Sequence, residues 1–67
     1  MNIIKKFIKW QRWLVLHMAY VDTIVLYGED NPTSNYIMDK LHKEGYSQKK
    51  IDYTIKIAKR NLERAQN

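Results

Sequence analysis

Few side chains in this 67-residue chain are of a kind that does chemistry. There is no cysteine, so thiol nucleophiles and disulfides are excluded, and the two imidazoles are His17 and His42. Asp22 follows His17 by five residues, which on a helix puts the two on different faces. His42 stands beside Lys43. The carboxylates Asp22, Glu29, Asp30, Asp39 and Glu44 crowd the middle of the chain, but no two are spaced for paired acid–base work. They read as helix-end charges and solubilising groups. Gly28 and Gly45 read as helix ends, and no glycine-rich loop is present to cradle a phosphate. Two histidines without thiolates make a poor structural zinc site. The expectation is therefore no catalytic residue, no metal, no cofactor and no small-molecule substrate, with His17 a partly buried histidine that has a backbone partner.

The cations carry more information. Twelve Lys and Arg against seven Asp and Glu give a net charge of +5. Lys5, Lys6, Lys9 and Arg12 fall in a stretch without acids. Lys49, Lys50, Lys56, Lys59, Arg60 and Arg64 face only Asp52 and Glu63. Two basic ends thus flank an acidic middle, a balance that suits phosphate backbones, anionic lipids or acidic proteins. Residues 39–64 have the outline of a helix-turn-helix, in which the second helix meets the nucleic acid. Gln48, Lys49, Asp52 and Tyr53 would lie near bases, with Lys56 and Arg60 on phosphates. The candidate nucleic-acid residues are Gln48, Lys49, Tyr53, Lys56, Arg60 and Arg64. The plainer alternative is a helical hairpin whose basic face is merely solvated.

Leu41, Gly45, Tyr46, Ser47, Ala58 and Asn61 follow a glycine–aromatic turn and a capped helix that resembles a ubiquitin-associated domain, a small three-helix module. The resemblance covers under half the chain. Glu44 stands where that family usually has Met, and the first helix is too long for it, so no function is carried over.

The elements that hold these residues are helical. Residues 3–27 contain neither Gly nor Pro and predict one helix about 37 Å long. Ile3, Phe7, Trp10, Leu14, Met18, Val21 and Val25 recur at steps of three and four, which predicts the buried stripe. Lys5, Lys9, Arg12 and Thr23 lie opposite. Trp13, Tyr20, Ile24 and Tyr27 lie off that stripe on one side, and Ile8, Val15 and Leu26 on the other. From Trp13 onward the helix is apolar nearly all round, more than two short helices can cover. Trp13, Tyr20, Ile24 and Tyr27 are the expected docking face, with a short strand at 24–27 the main local competitor of the helix.

Gly28 ends the first helix, and 29–32 reads as a turn. Asp30 or Asn31 caps a second helix over 32–44, with Pro32 in its first turn and Ile37, Met38 and Leu41 inward. Gly45 ends it, Tyr46 packs back, and Ser47 caps a third helix over 48–64. There Ile51, Ile55, Ala58, Leu62 and Ala65 form the apolar face, while Gln66 and Asn67 fray. The fold class is all-α: a single three-helix domain, one long helix plus a helical hairpin.

A chain this short has a marginal core, and with disulfides and zinc excluded, association is the remaining aid. A homodimer or another protein partner is expected. The lysine-rich start followed by an apolar run only briefly imitates a signal peptide, and the run is too short to span a bilayer. Cytoplasmic residence is the default. The leading functional expectation is a dimeric nucleic-acid-associated regulator. The second is a small interaction or inhibitor protein, of the sort phages and mobile elements encode, which covers a larger partner's surface. The third is membrane-surface binding through Lys5, Lys6, Lys9 and Arg12 with Phe7, Trp10 and Trp13.

Overall fold

A computed structural model describes residues 2–66. Three helices follow in order: α1 (Asn2–Tyr27), α2 (Pro32–Lys43) and α3 (Gln48–Gln66). No strand forms among the described residues, and 24–27 continues α1 to its last turn. Asn67 lies outside the described residues, while Gln66 is still helical. The molecule measures 45 × 21 × 17 Å.

Local signals fix the helix ends. Gly28 takes φ +85° and Gly45 φ +78°, a region that costs glycine nothing. Asp30 also has positive φ, at 59°, in the turn between α1 and α2. Asn31 is the N-cap of α2 and does more than cap. Its Oδ1 accepts from the Ser34 amide at 2.8 Å, and its Nδ2 donates to the Thr23 and Gly28 carbonyls at 3.2 and 2.9 Å. One amide side chain thereby joins the end of α1 to the start of α2. Pro32 occupies the first turn of α2, where its missing N–H leaves no bond unmade. At the second turn, the Ser47 hydroxyl accepts from Lys50 N at a long 3.4 Å. The tighter bond there runs from Ile51 N to the Ser47 carbonyl, 3.1 Å.

Both shorter helices pack mainly on α1 and little on each other. Trp13 and His17 meet α3 at Tyr53 and Thr54, and Val21 and Ile24 cluster with Ala58, so α1 and α3 run the same way. The small Ala58 lets the two backbones come close. α2 runs back along α1 in the opposite direction, with Asn31 bonded near the end of α1 and Glu44 paired with Arg12. Trp13, Ile37, Leu41, Tyr46 and Ile51 form the core at the hairpin end. Tyr46 is buried as expected, and its hydroxyl donates to the Lys9 carbonyl at 3.1 Å. Burial pushes the Tyr46 hydroxyl pKa up, helped by Glu44 and opposed by Arg12.

The buried face of α1 is not the predicted one. Of Ile3, Phe7, Trp10, Leu14, Met18, Val21 and Val25, only Val21 is buried. Leu14 and Val25 are half-buried and the other four are exposed. The core face is Trp13, His17, Val21 and Ile24, rotated from the expected stripe toward the side assigned to docking. The reason is the reach and chemistry of the hairpin. It extends along α1 only as far as Lys9, so Ile3 and Phe7 lie beyond it. It also offers the Thr54 hydroxyl to His17, which lets a polar residue occupy the centre of the core face. On α3, Ala65 is likewise exposed, because it lies beyond the residues of α1 that α3 covers.

The two faces should respond differently to truncation. Ile24→Ala, at 3% exposure, should destabilise the fold by about 2–5 kcal/mol through lost burial and a residual cavity. Met18→Ala, at 57% exposure, should change it by about 0.5 kcal/mol or less in dilute protein. Urea unfolding followed by circular dichroism checks the contrast, and equal losses would contradict this assignment of the faces.

Candidate nucleic-acid interface and the faces of the first helix

Five of the six α3 residues singled out from the sequence share one exposed side. Gln48, Lys49, Tyr53, Lys56, Arg60 and Arg64 are all solvent-exposed. At 100° per residue, all but Gln48 fall within an arc of about 80°. Lys59 joins them at the edge. None of Lys49, Lys56, Lys59, Arg60 and Arg64 has a carboxylate within ion-pair distance among the described residues. Asp52 and Glu63 border the same side. Asp52 is held by Gln48, whose Nε2 donates to it at 2.9 Å, so Gln48 is committed within its own helix. Lys50 points elsewhere, toward the rings of Trp13 and Tyr46 at 5.5 and 5.8 Å.

Tyr53 is half exposed, but its inner ring face is stacked on His17 with centroids 5.5 Å apart. His17 also packs on Trp13 at 4.9 Å, and Trp13 lies 6.3 Å from Tyr53. The three rings thus form one triangular cluster, and the hydrogen-bond partner of the imidazole is not a backbone group. His17 Nδ1 lies 2.8 Å from Thr54 Oγ1. Thr54 donates its one hydroxyl proton to the Lys50 carbonyl at 3.0 Å, so Thr54 accepts from His17, and the neutral imidazole carries its proton on Nδ1. Thr54, fully buried, was not foreseen. A threonine among Ile51, Ile55 and Ala58 was the available signal, since a hydroxyl at a core position requires a partner. Asp22 borders a shallow groove with His17 but makes no hydrogen bond to it, and His42 is exposed on α2.

The faces of α1 divide differently from the sequence expectation. Trp13 and Ile24 belong to the interior, Tyr20 is half-buried between the two core clusters, and only Tyr27 is freely exposed. Trp13 and Ile24 therefore face the protein's own hairpin. The exposed apolar side chains are instead Ile3, Ile4, Phe7, Ile8 and Trp10 on the first turns, continued by Val15, Met18 and Leu26. The first five span an arc of about 160°, opposite Lys5, Lys6, Lys9 and Arg12.

No group of three or more His, Asp or Glu among the described residues lies close enough to hold a metal. The grooves between helices have volumes of about 120 Å³ beside Tyr20 and Ala58 and about 210 Å³ beside His17 and Asn61. Small-molecule sites commonly occupy about 300–1,000 Å³. A larger trough of about 450 Å³ between Asp52, Lys56, Arg60 and Glu63 is shallow and lies along the basic side of α3. No described helix is long and apolar enough to cross a membrane. Comparison with protein-family models, curated proteins and solved structures finds no match to this chain.

Burial holds the His17 pKa below its ordinary value of 6.5. The unfolded chain then binds more protons than the folded one as pH falls through 6.5, and stability must drop. The contribution is complete above the unfolded pKa and is lost progressively from there down through the folded one. Between pH 7.5 and pH 5.5 the melting temperature should fall, and His17→Gln should flatten that slope. A slope unchanged in the variant would place the proton uptake elsewhere.

Proposed function

We propose that this chain is a non-catalytic binding protein that holds the phosphate backbone of a nucleic acid on the exposed side of α3. The reading is carried by one observation: Lys49, Lys56, Arg60 and Arg64 share that side with no carboxylate partner among the described residues. Cations without a carboxylate partner can meet phosphates with no ion pair to break. From Lys49 to Arg64 they extend over about 22 Å of helix. Asp52 and Glu63 at the border of the side set a limit on affinity and favour a backbone held from one direction. In this reading Tyr53, half exposed and packed on His17, would lie against a sugar or base beside the phosphates.

About four phosphate contacts give a slope of log affinity against log salt near −3.6. Binding to a labelled duplex should therefore weaken by about 10²-fold between 50 and 200 mM salt. Lys56→Ala with Arg60→Ala should reduce the slope by about two while leaving the helical signal intact. Fluorescence anisotropy reads both. Absence of binding at 50 mM salt, or binding insensitive to salt, contradicts the proposal.

A second reading rests on a different feature. Ile3 and Phe7 continue the core side of α1 past the end of the hairpin, and Trp10, 47% exposed, stands at its edge against Phe7. An interaction protein that covers a larger partner would use such an end as its anchor, and aromatic side chains dominate such contacts. Phe7→Ala and Trp10→Ala should then abolish capture of the partner without changing the melting temperature. Loss of folding in these variants would instead make the residues structural.

A further inference from the structure

The outer side of α1 has an order of its own. Ile8, Gln11, Val15, Met18, Asp22 and Val25 recur at steps of three, four, three, four and three, the period of a helix–helix seam. They lie across α1 from Trp13 and Ile24: the hairpin leaves Ile8, Gln11 and Val15 clear, Met18 and Asp22 border the groove beside α3, and Val25 packs partly on the core cluster there. Ile8, Val15 and Met18 are 56%, 63% and 57% exposed, Gln11 and Asp22 are exposed, and only Val25 is half-buried. A fully solvated helix side has no use for such a spacing. A helix with one seam for its own hairpin and another facing solvent has the form of a subunit.

We propose that this seam is occupied by α1 of a second copy, running antiparallel. The spacing three-four-three-four-three reads the same in both directions, so an antiparallel copy can be placed with every seam residue opposite another. In that register Ile8 faces the partner's Val25, Val15 faces the partner's Met18, and Gln11 faces the partner's Asp22. Apolar meets apolar, and the only two polar positions meet each other, where the amide of Gln11 can donate to the carboxylate of Asp22. A parallel pairing would instead set Asp22 against Asp22, and like charges in contact across a seam oppose association.

The charge bias along the length of α1 agrees with this direction. Lys5, Lys6, Lys9 and Arg12 make one end of α1 basic, while Asp22 and the following Glu29 and Asp30 make the other end acidic. The antiparallel arrangement lays each basic end beside the other copy's acidic end. It also gives residues 2–8 something to rest on, since they would extend along the partner's loop 28–31. A bilayer would have to accept Asp22 at the centre of the same apolar side, which an anionic surface disfavours. A two-fold contact of this type uses one patch twice and closes on itself. The inference does not depend on the nucleic-acid reading, because α3 takes no part in the seam.

Sedimentation equilibrium and directed cross-linking test it, helped by the absence of native cysteine. The unmodified protein should reach the mass of two chains as concentration rises. Val15→Glu with Met18→Glu should hold it at one chain with an unchanged far-ultraviolet spectrum, since both side chains are exposed. In an equimolar mixture of Gln11→Cys and Asp22→Cys proteins, oxidation should give the mixed disulfide several-fold over either symmetric one. In the proposed register positions 11 and 11 of the two copies lie about 16 Å apart along the axis, beyond the reach of a disulfide. A single-chain mass at the highest soluble concentration overturns the proposal, as do predominantly symmetric disulfides. Sedimentation with phosphatidylserine-containing vesicles without self-association also overturns it and assigns the seam to a lipid surface.

Discussion

The structure depends on one constraint: α1 is apolar around most of its circumference, and a hairpin of two short helices can cover only one side of it. Everything else follows from which side is covered. The hairpin takes the side bearing Trp13, His17, Val21 and Ile24 and reaches no further than Lys9. Leu41, Ile51, Thr54 and Ala58 complete the interior from the other two helices. The core is therefore short in a long molecule, and the start of α1 carries its apolar residues into solvent.

The interior tolerates polar atoms because nearly all are paired within it. Ser34 donates to the Asn31 carbonyl, and Thr54 donates to Lys50 while accepting from His17. A buried hydroxyl or imidazole without a partner costs about 1–3 kcal/mol, which a core this small could not absorb repeatedly. The Trp13 indole N–H is an exception, buried without an acceptor. Its ring lies against both His17 and Tyr53. The same stack fixes Tyr53 at the edge of the basic side of α3. The interior and the candidate interface are thus joined through Trp13 and His17.

Helix boundaries were legible in the sequence because they are written locally. Gly28, Asn31, Pro32, Gly45 and Ser47 each act within a few residues of themselves, and the helices begin and end where those residues place them. The exposed cations of α3 were legible for a similar reason, since α3 has a single clean apolar side that puts Lys49, Lys56 and Arg60 opposite it. The orientation of α1 was not legible. When apolar residues occur at nearly every angle, periodicity offers several stripes of comparable quality and cannot choose among them. The choice is made by residues more than thirty positions away, above all Thr54, whose hydroxyl makes a histidine acceptable in the core, and Tyr46, which anchors the hairpin at Lys9.

The exchange of roles on α1 also changes which residues are available to a partner. Trp13 and Ile24 are spent on folding, whereas Ile8, Val15 and Met18 are free of internal duties. The most direct test of this division follows methyl signals of α1 by nuclear magnetic resonance in the presence of a soluble paramagnetic probe, over a dilution series. Val21 and Ile24 should be protected at every concentration, while Val15 and Met18 should be bleached in dilute protein and become protected as it is concentrated. Bleaching of Val21 and Ile24, or of Val15 and Met18 at all concentrations, would contradict the account.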